Sequence, residues 1–395
     1  MSQRINLLSP EIRADPYPTF AELRRNTPVC QVDPGGLWAV TRYADAMTVF
    51  KNSQAFSSEA FRKAYRPEWC PDYPLADSLL VMDPPRHGRL RTLIGRAFGS
   101  SALSRWEPRV KRLAQQAAAE LPMDRPVDFI ESFALRIPAG VVGELLGLPE
   151  ELHPRLKKWS DQLGQFTGIG PDEHSRQEAL RATLAEIRGH FEKVIADRRH
   201  HPADDMVTDL LNARVEGEEL TPAELMGFLF VLLVAGLETT MILLCHSALR
   251  LRDDPELMAR LRADPSLIPR FIEEMLRYES PVHGVMRLVT QDVELGGVLL
   301  PRGSRLLVLM NSINRDEAQF PGADRFELDR PGPQNLPFGH GVHFCLGAPL
   351  ARLEARYALE ALLARCSRFS AGEGQVEWTS SLSIRGPLVL PLVAH

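Results

Sequence analysis

Apolar and polar positions along the chain follow no single rhythm at first and settle into a helical one later. Val29–Val32 and Leu37–Thr41 are short apolar-rich runs flanking Asp33-Pro34-Gly35-Gly36, the pattern of a β-hairpin closed by a glycine turn. Amphipathic spacing predicts helices over Tyr43–Lys51 and from about His87 to Phe98. Between them, Ala55–Asp83 has no period and is rich in aromatics (Phe56, Phe61, Tyr65, Trp69, Tyr73) and prolines (Pro67, Pro71, Pro74). A long irregular stretch inside a compact domain is usually functional. From about Leu103 to Arg368 the period is mainly helical. Leu288–Glu294 and Arg305–Met310 interrupt it, running apolar or alternating around Gly296-Gly297, and read as strands. A glycine-rich break, Gly164–Pro171, separates two helices as a flexible lid would.

The most apolar segment is Leu225–Leu251. It carries no charge as far as Leu237, but Glu238, Thr239, Thr240 and His246 follow within it. An ionisable group deep in an apolar helix marks a buried functional site more often than a lipid-facing position. A long helix through the core is therefore predicted. Thr221 as N-cap, Pro222 in the first turn and Glu224 at the capping-box position give it a clean start.

At 395 residues the chain exceeds the usual size of one compact domain. No repeat, low-complexity tract or linker divides it, so one large unit over 1–395, mainly α with small β-sheets, is the expectation. A balance of 46 basic against 51 acidic residues, net −5, argues against a role in coating nucleic acid or an anionic membrane. Five cysteines, an odd number and without a CxxC pair, argue against a disulfide scaffold and for a reducing compartment. The N-terminus reaches Pro10 without a long apolar run, so neither a signal peptide nor a membrane anchor is expected, and the location expected is cytoplasmic.

The strongest chemical signal is Phe338-Gly339-His340-Gly341-Val342-His343-Phe344-Cys345-Leu346-Gly347, followed by apolar residues near helical spacing at Leu350, Leu353, Tyr357 and Leu362. A helix starting just after Cys345 would stabilise a thiolate there through its free N–H groups and dipole. Gly339 and Gly341 permit a tight loop, Gly347 allows a flat ligand or backbone to approach, and Phe338 is placed to shield the sulfur. Such a thiolate suits a haem iron as axial ligand. Read without its neighbours, Cys345 is equally an inert buried thiol, or with His340 and His343 part of a zinc site that lacks a fourth ligand of suitable spacing.

FGHGVHFCLGAPLAR resembles the haem-binding loop of the cytochromes P-450, matching every fixed position of Phe-Gly-x-Gly-x-His-x-Cys-x-Gly. Three further blocks fit the same family. Glu274-Met275-Leu276-Arg277 puts an acid and a base on one helix face, as do Glu22/Arg25, Glu59/Arg62, Glu173/Arg176, Glu178/Arg181 and Glu327/Arg330, which read as solvated pairs. Only the first stands before the strand region and the cysteine loop, in the family's order. The resemblance implies a buried structural network there, completed by Arg325.

Ala235-Gly236-Leu237-Glu238-Thr239-Thr240 interrupts the core helix with a glycine that costs about 1 kcal/mol, for which room for a small ligand would be a reason. By itself the block also reads as a helix kink with a back-bonded threonine. It is similar to the family's oxygen-activation motif, which implies Glu238 as proton relay and Thr239 as the residue steadying the oxygen group on the iron. His87 and Arg91 lie one helical turn apart after Asp83-Pro84-Pro85, a pairing that suits an anion and equally a basic surface helix. By resemblance they bind haem propionates with Arg287 and His343. One departure is Glu317, where the family often has proline after Asn314-Arg315-Asp316.

The resemblance implies the triangular, haem-enclosing P-450 fold, with haem b bound to Cys345 and touched by Ala235, Gly236, Phe338, Gly339 and Gly347. It implies a monooxygenase placing one atom of O2 in a C–H or C=C bond. No GxGxxG and no length remain for a fused reductase, so a separate ferredoxin-type donor is expected. Arg89, Arg96, Arg105, Arg109, Lys111 and Arg112 form either a basic docking face for it or a merely solvated one. Ala55–Val81, Gln165–Asp172, Phe230–Val234, Val282–Met286 and Ser381–Ile384 are expected to line the substrate pocket, Gly284 leaving room near the haem edge. Their side chains favour an apolar or amphipathic substrate: polyketide, terpenoid, steroid or fatty-acid-like. A peroxygenase of the same fold would usually lack the Glu238–Thr239 pair. A haem-binding sensor or carrier without turnover is the alternative from another class.

Overall fold

The computed structural model describes residues 4–331 and 335–395. Its centre is the helix Pro222–Asp253, hereafter the core helix. Thr221 Oγ1 accepts from the Glu224 N–H at 3.2 Å, and Glu224 Oε2 accepts from the Thr221 N–H at 3.0 Å, so the expected capping box is complete. Asp254 and Pro255 stop the helix, two residues beyond the apolar run, and Asp254 caps the next one. Its most apolar window has a mean hydropathy of 2.3, long and apolar enough to cross a membrane, but 72% of that window is buried inside the protein. A helix that is apolar on all sides has to be wrapped, and here other elements wrap it. The helices Arg136–Leu145, Leu156–Gly164 and Ala348–Arg365 pack on it. So does the 3₁₀ turn Pro74–Asp77, which comes so close that a Cβ on Gly227 would stand 2.9 Å from Pro74 O.

The hairpin forms as expected, Val29 opposite Val40, and joins a five-stranded sheet. Strand Leu37–Val40 pairs in parallel with Arg305–Leu309, which pairs antiparallel with Gly284–Val289 and through it with Phe56–Ser57. The predicted strand Leu288–Glu294 is two separate strands, Gly284–Val289 and Val293–Leu295. The chain turns between them because Thr290 leaves the ladder to bond the Ala55 and Gln54 carbonyls. Arg305–Leu309 ends one residue early, as Met310 opens a helical turn. A second sheet sets Pro391–Ala394 between Pro126–Asp128 and Phe369–Ala371. The helices Tyr43–Lys51 and Arg86–Gly95, the latter extended by the 3₁₀ turn Arg96–Phe98, lie where amphipathic spacing put them.

The aperiodic Ala55–Asp83 stretch is ordered by its own polar groups. Asp83 accepts from Ser57 Oγ at 2.5 Å and from the Ser58 N–H at 3.0 Å, while Asp77 holds Arg62 and Arg66 at 2.7 and 2.8 Å. The Gly164–Pro171 break is real: the helix Leu156–Gly164 ends there and the helix His174–His200 begins beyond it, with a 3₁₀ turn at Phe166–Gly168 between them.

Candidate active site

Gly339 and Gly341 take φ of 72° and 71°, the left-handed region where a side chain is strained, and a Cβ on Gly341 would meet Phe50 O at 2.6 Å. The loop they permit closes on a hydrogen bond from the Cys345 N–H to Phe338 O at 3.0 Å. The helix Ala348–Arg365 follows at once. Burial pushes the Cys345 thiol up, and the Gly347 and Ala348 N–H groups, with Arg91 and Arg352 further off, pull it back toward the thiolate. A side chain so surrounded is nonetheless open to solvent-sized space. Accessible space, rather than packed side chains alone, therefore borders Cys345. The Arg352 guanidinium lies 4.5 Å over the Phe338 ring and keeps that ring beside the loop.

Four cationic or potentially cationic side chains converge nearby. The His87 and His343 rings stand 4.3 Å apart, the first from the Arg86–Gly95 helix, the second from the cysteine loop. Burial first, then Arg91, depresses His87 to about 4; burial, Arg287 and His87 depress His343 to about 3. Burial also lowers Arg91 and brings Arg287 down to about 10. Among the described residues neither arginine has a carboxylate within ion-pair distance, and His343 Nε2, though buried, has no partner. Cationic groups crowded together without a counter-anion are complementary to a ligand carrying two carboxylates. A flat ligand with carboxylates at one edge and a metal for Cys345 fits these residues.

The oxygen-activation block sits halfway along the core helix. Ala235 is exposed although the helix around it is buried, so it too borders a void. Thr239 Oγ1 donates to Ala235 O at 2.9 Å. Gly236 has a different reason from the one expected. A Cβ there would stand 2.9 Å from Val142 Cγ2, so the glycine admits a neighbouring helix and Ala235 is the residue that faces open space. Gly284 likewise leaves no room, because a Cβ would meet Leu382 O at 2.4 Å and Leu307 Cδ1 at 2.6 Å.

Burial raises Glu238 to about 7. Lys157 Nζ lies 3.8 Å from Glu238 Oε1 and opposes that rise, while Asp161, itself ion-paired with Lys157, adds to it. Lys157 and Asp161 both come from the Leu156–Gly164 helix, and sequence gave no sign of them: an i, i+4 pair on a surface helix is ordinary.

Glu274 and Arg277 form a fully buried bidentate pair at 2.7 and 2.8 Å. The side chain that completes the network is Arg330, not Arg325. Arg330 Nε donates to Glu274 Oε1 at 3.1 Å and is 8% exposed, whereas the Arg325 guanidinium is 72% exposed and gives the network only its carbonyl. Glu327/Arg330, dismissed as a solvated pair, held the signal. Glu317 bonds Arg24 at 2.9 Å. Four of the arginines considered as a docking face are engaged within the protein, while Arg96 is exposed. Arg105 and Arg109 share Asp204, Arg105 also holds Asp209, Arg112 holds Glu144, and Arg89 holds Glu218 and Glu224. A separate cleft of about 720 Å³, bordered by Tyr17, His246, Glu279, Arg315 and Arg385, includes none of the candidate site residues.

The sequence pattern of the family described as Cytochrome P450 matches residues 166–383. The chain is 37% identical to Cytochrome P450 109 of Bacillus spizizenii, over 98% of its length and 93% of that protein. It is 36% identical to the Cytochrome P450 monooxygenase PikC of Streptomyces venezuelae, over 98% and 93%. Among solved structures, cytochrome P450 CYP109Q5 from Chondromyces apiculatus superposes with a TM-score of 0.91 at 37% identity, covering 100% of this chain and 99% of that one. CYP109E1 from Bacillus megaterium, in complex with corticosterone, superposes at 0.85 and 31% identity, covering 97% and 99%. Matches at this identity over almost the full length leave no doubt about ancestry: the chain belongs to the cytochrome P450 family and is a monooxygenase of the bacterial kind.

Proposed function

We propose that this chain carries haem b on Cys345 and oxygenates an apolar or amphipathic molecule of polyketide or steroid size, in the cytoplasm, with electrons from a ferredoxin. The observation that carries the reading is the accessible Cys345 in the loop that sets His343 against His87, near Arg91 and Arg287, which have no carboxylate within ion-pair distance among the described residues. When bound, the haem iron activates O2 with electron density pushed from a thiolate ligand. The chain's own residues do the rest. Gly347 and Ala348 N–H groups temper the thiolate's basicity. The two arginines and two histidines would hold the cofactor's carboxylates. Ala235, exposed on the core helix, leaves room for a small ligand. Glu238, with a pKa near neutrality, can both hold and release a proton at Oε1, which is the condition for an efficient proton donor. Lys157 and Asp161 lead from it toward the surface. Thr239, bonded to Ala235 O, orients its hydroxyl for the next transfer.

The substrate class rests on two supports. The segments expected to line the pocket are aromatic and aliphatic. Relatives named mycinamicin IV hydroxylase/epoxidase and vitamin D(3) 25-hydroxylase are 36% and 33% identical. The test of the whole reading is the carbon-monoxide difference spectrum of the reduced protein, with Cys345→His alongside. A red-shifted Soret band lost in the variant is the expected result, and haem-loaded protein without that band would overturn it.

A further inference from the structure

Two of the segments expected to line the substrate pocket, Val282–Met286 and Ser381–Ile384, are laced together by their backbones. The His283 N–H donates to Ser383 O at 2.8 Å, the Arg385 N–H donates to Pro281 O at 3.0 Å, and Val282 bridges Ile384. A Cβ on Gly284 would press on Leu382 O, so the two runs meet with no side chain between them there. The first run continues along its strand to Arg287, one of the cations gathered near Cys345.

One carboxylate backs this laced pair. Glu279 ion-pairs with Arg385 through Oε1, and its Oε2 lies 3.4 Å from Arg315 Nη2. Burial raises its carboxyl, but the charges around it, Arg385 foremost, hold it below the usual glutamate range, so it stays ionised. Arg385 stands next to Ile384 in the chain. It also donates to Ala14 O at 2.8 Å and to Arg13 O at 3.3 Å, and it lies 3.7 Å over the Trp378 ring. Arg315 is held between the Tyr17 and Tyr278 rings, 3.3 and 3.6 Å from their centroids. The Glu279 carbonyl accepts from His246 Nδ1 of the core helix at 3.0 Å.

The cleft of about 720 Å³ opens on the outer side of these same residues. Groups that border a cleft lack packed neighbours on that side, so the ion pairs carry more of the task of fixing the walls. We propose that Glu279 is a positioning residue for substrate selection: through Arg385, and by its own place three residues before Val282, it sets how far both walls stand into the pocket. It does so without touching the ligand. This rests on the haem reading for the identity of the pocket.

Two azoles of different size separate the walls from the iron, since imidazole needs only the metal and 4-phenylimidazole needs room between the walls as well. In haem-loaded protein, Glu279→Gln keeps the shape of the side chain and removes its charge. Expected is a rise of about tenfold in the Kd for 4-phenylimidazole, read from the Soret shift, with that for imidazole changed by less than about twofold. Hydrogen exchange should quicken over 281–286 and 381–386 but not over 339–347. Arg330→Leu strips the other buried carboxylate that serves two arginines, Glu274, and should destabilise the fold while leaving the ratio of the two constants at the parent value. Arg385→Lys keeps a cation against Glu279 without the guanidinium fork and should move the ratio in the same direction, by about threefold. It decides the matter if Glu279→Gln does not fold. An unchanged ratio in either variant would overturn the proposal. So would equal weakening of both azoles, or a shift in Arg330→Leu as large as in Glu279→Gln. Exchange reads the walls with or without haem, whereas a failed haem assignment would leave the parent protein with no Soret response to either azole.

Discussion

Glu238 is the residue whose environment does most to decide its chemistry. An exposed glutamate is ionised throughout the physiological range, whereas here burial moves the carboxyl to about 7 against the opposing charge of Lys157. Because its pKa in the folded state is raised, the carboxyl is protonated below about 7 and loses its proton as pH rises through that value. Product formation that draws on this proton should therefore fall along the same limb. Glu238→Gln should lower the coupled rate by about a hundredfold and erase the limb, measured as product formed per electron consumed across pH. Lys157→Met removes the charge that favours the carboxylate and should shift the limb to higher pH. If the limb stays in place in Glu238→Gln, another group supplies the proton.

At the scale of elements, the buried node on Glu274 distinguishes two arginines that sequence could not separate. Arg330→Leu leaves a buried carboxylate with one partner fewer and should cost about 3 kcal/mol in urea unfolding. Arg325→Leu should stay within about 0.5 kcal/mol, since that side chain lies outside. The reverse order would return the role to Arg325. The contrast also shows where sequence is legible. The core helix, its capping box, the hairpin and the cysteine loop are local patterns, written by residues within a few positions of one another. Gly236, Gly284 and Arg330 are decided by what arrives from elsewhere in the chain: Val142, Leu382 and Glu274. Spacing says nothing about such neighbours, and Gly284 was accordingly given room that Leu382 and Leu307 occupy. His87 and His343, far apart in sequence, were named together from the family's order of motifs, which carries long-range information that periodicity lacks.

At the scale of the whole molecule, the chain pairs four of the five arginines of the expected docking face with its own carboxylates. Asp204 and Asp209 together neutralise Arg105 and Arg109, and Glu224 serves both the core helix cap and Arg89 of the Arg86–Gly95 helix. Charges cancelled within a few ångströms leave little field at a distance, and at about 0.15 M salt even an uncancelled field fades over about 8 Å. An electron carrier approaching this protein would thus meet it by plain diffusion and be selected by shape once there. Raising ionic strength from about 0.02 to 0.2 M should change the second-order rate of carrier reduction of the protein by less than about threefold, against the order of tenfold or more for a steered encounter. Such a protein would tell one acidic carrier from another by the fit of the surfaces in contact rather than by the strength of their charge.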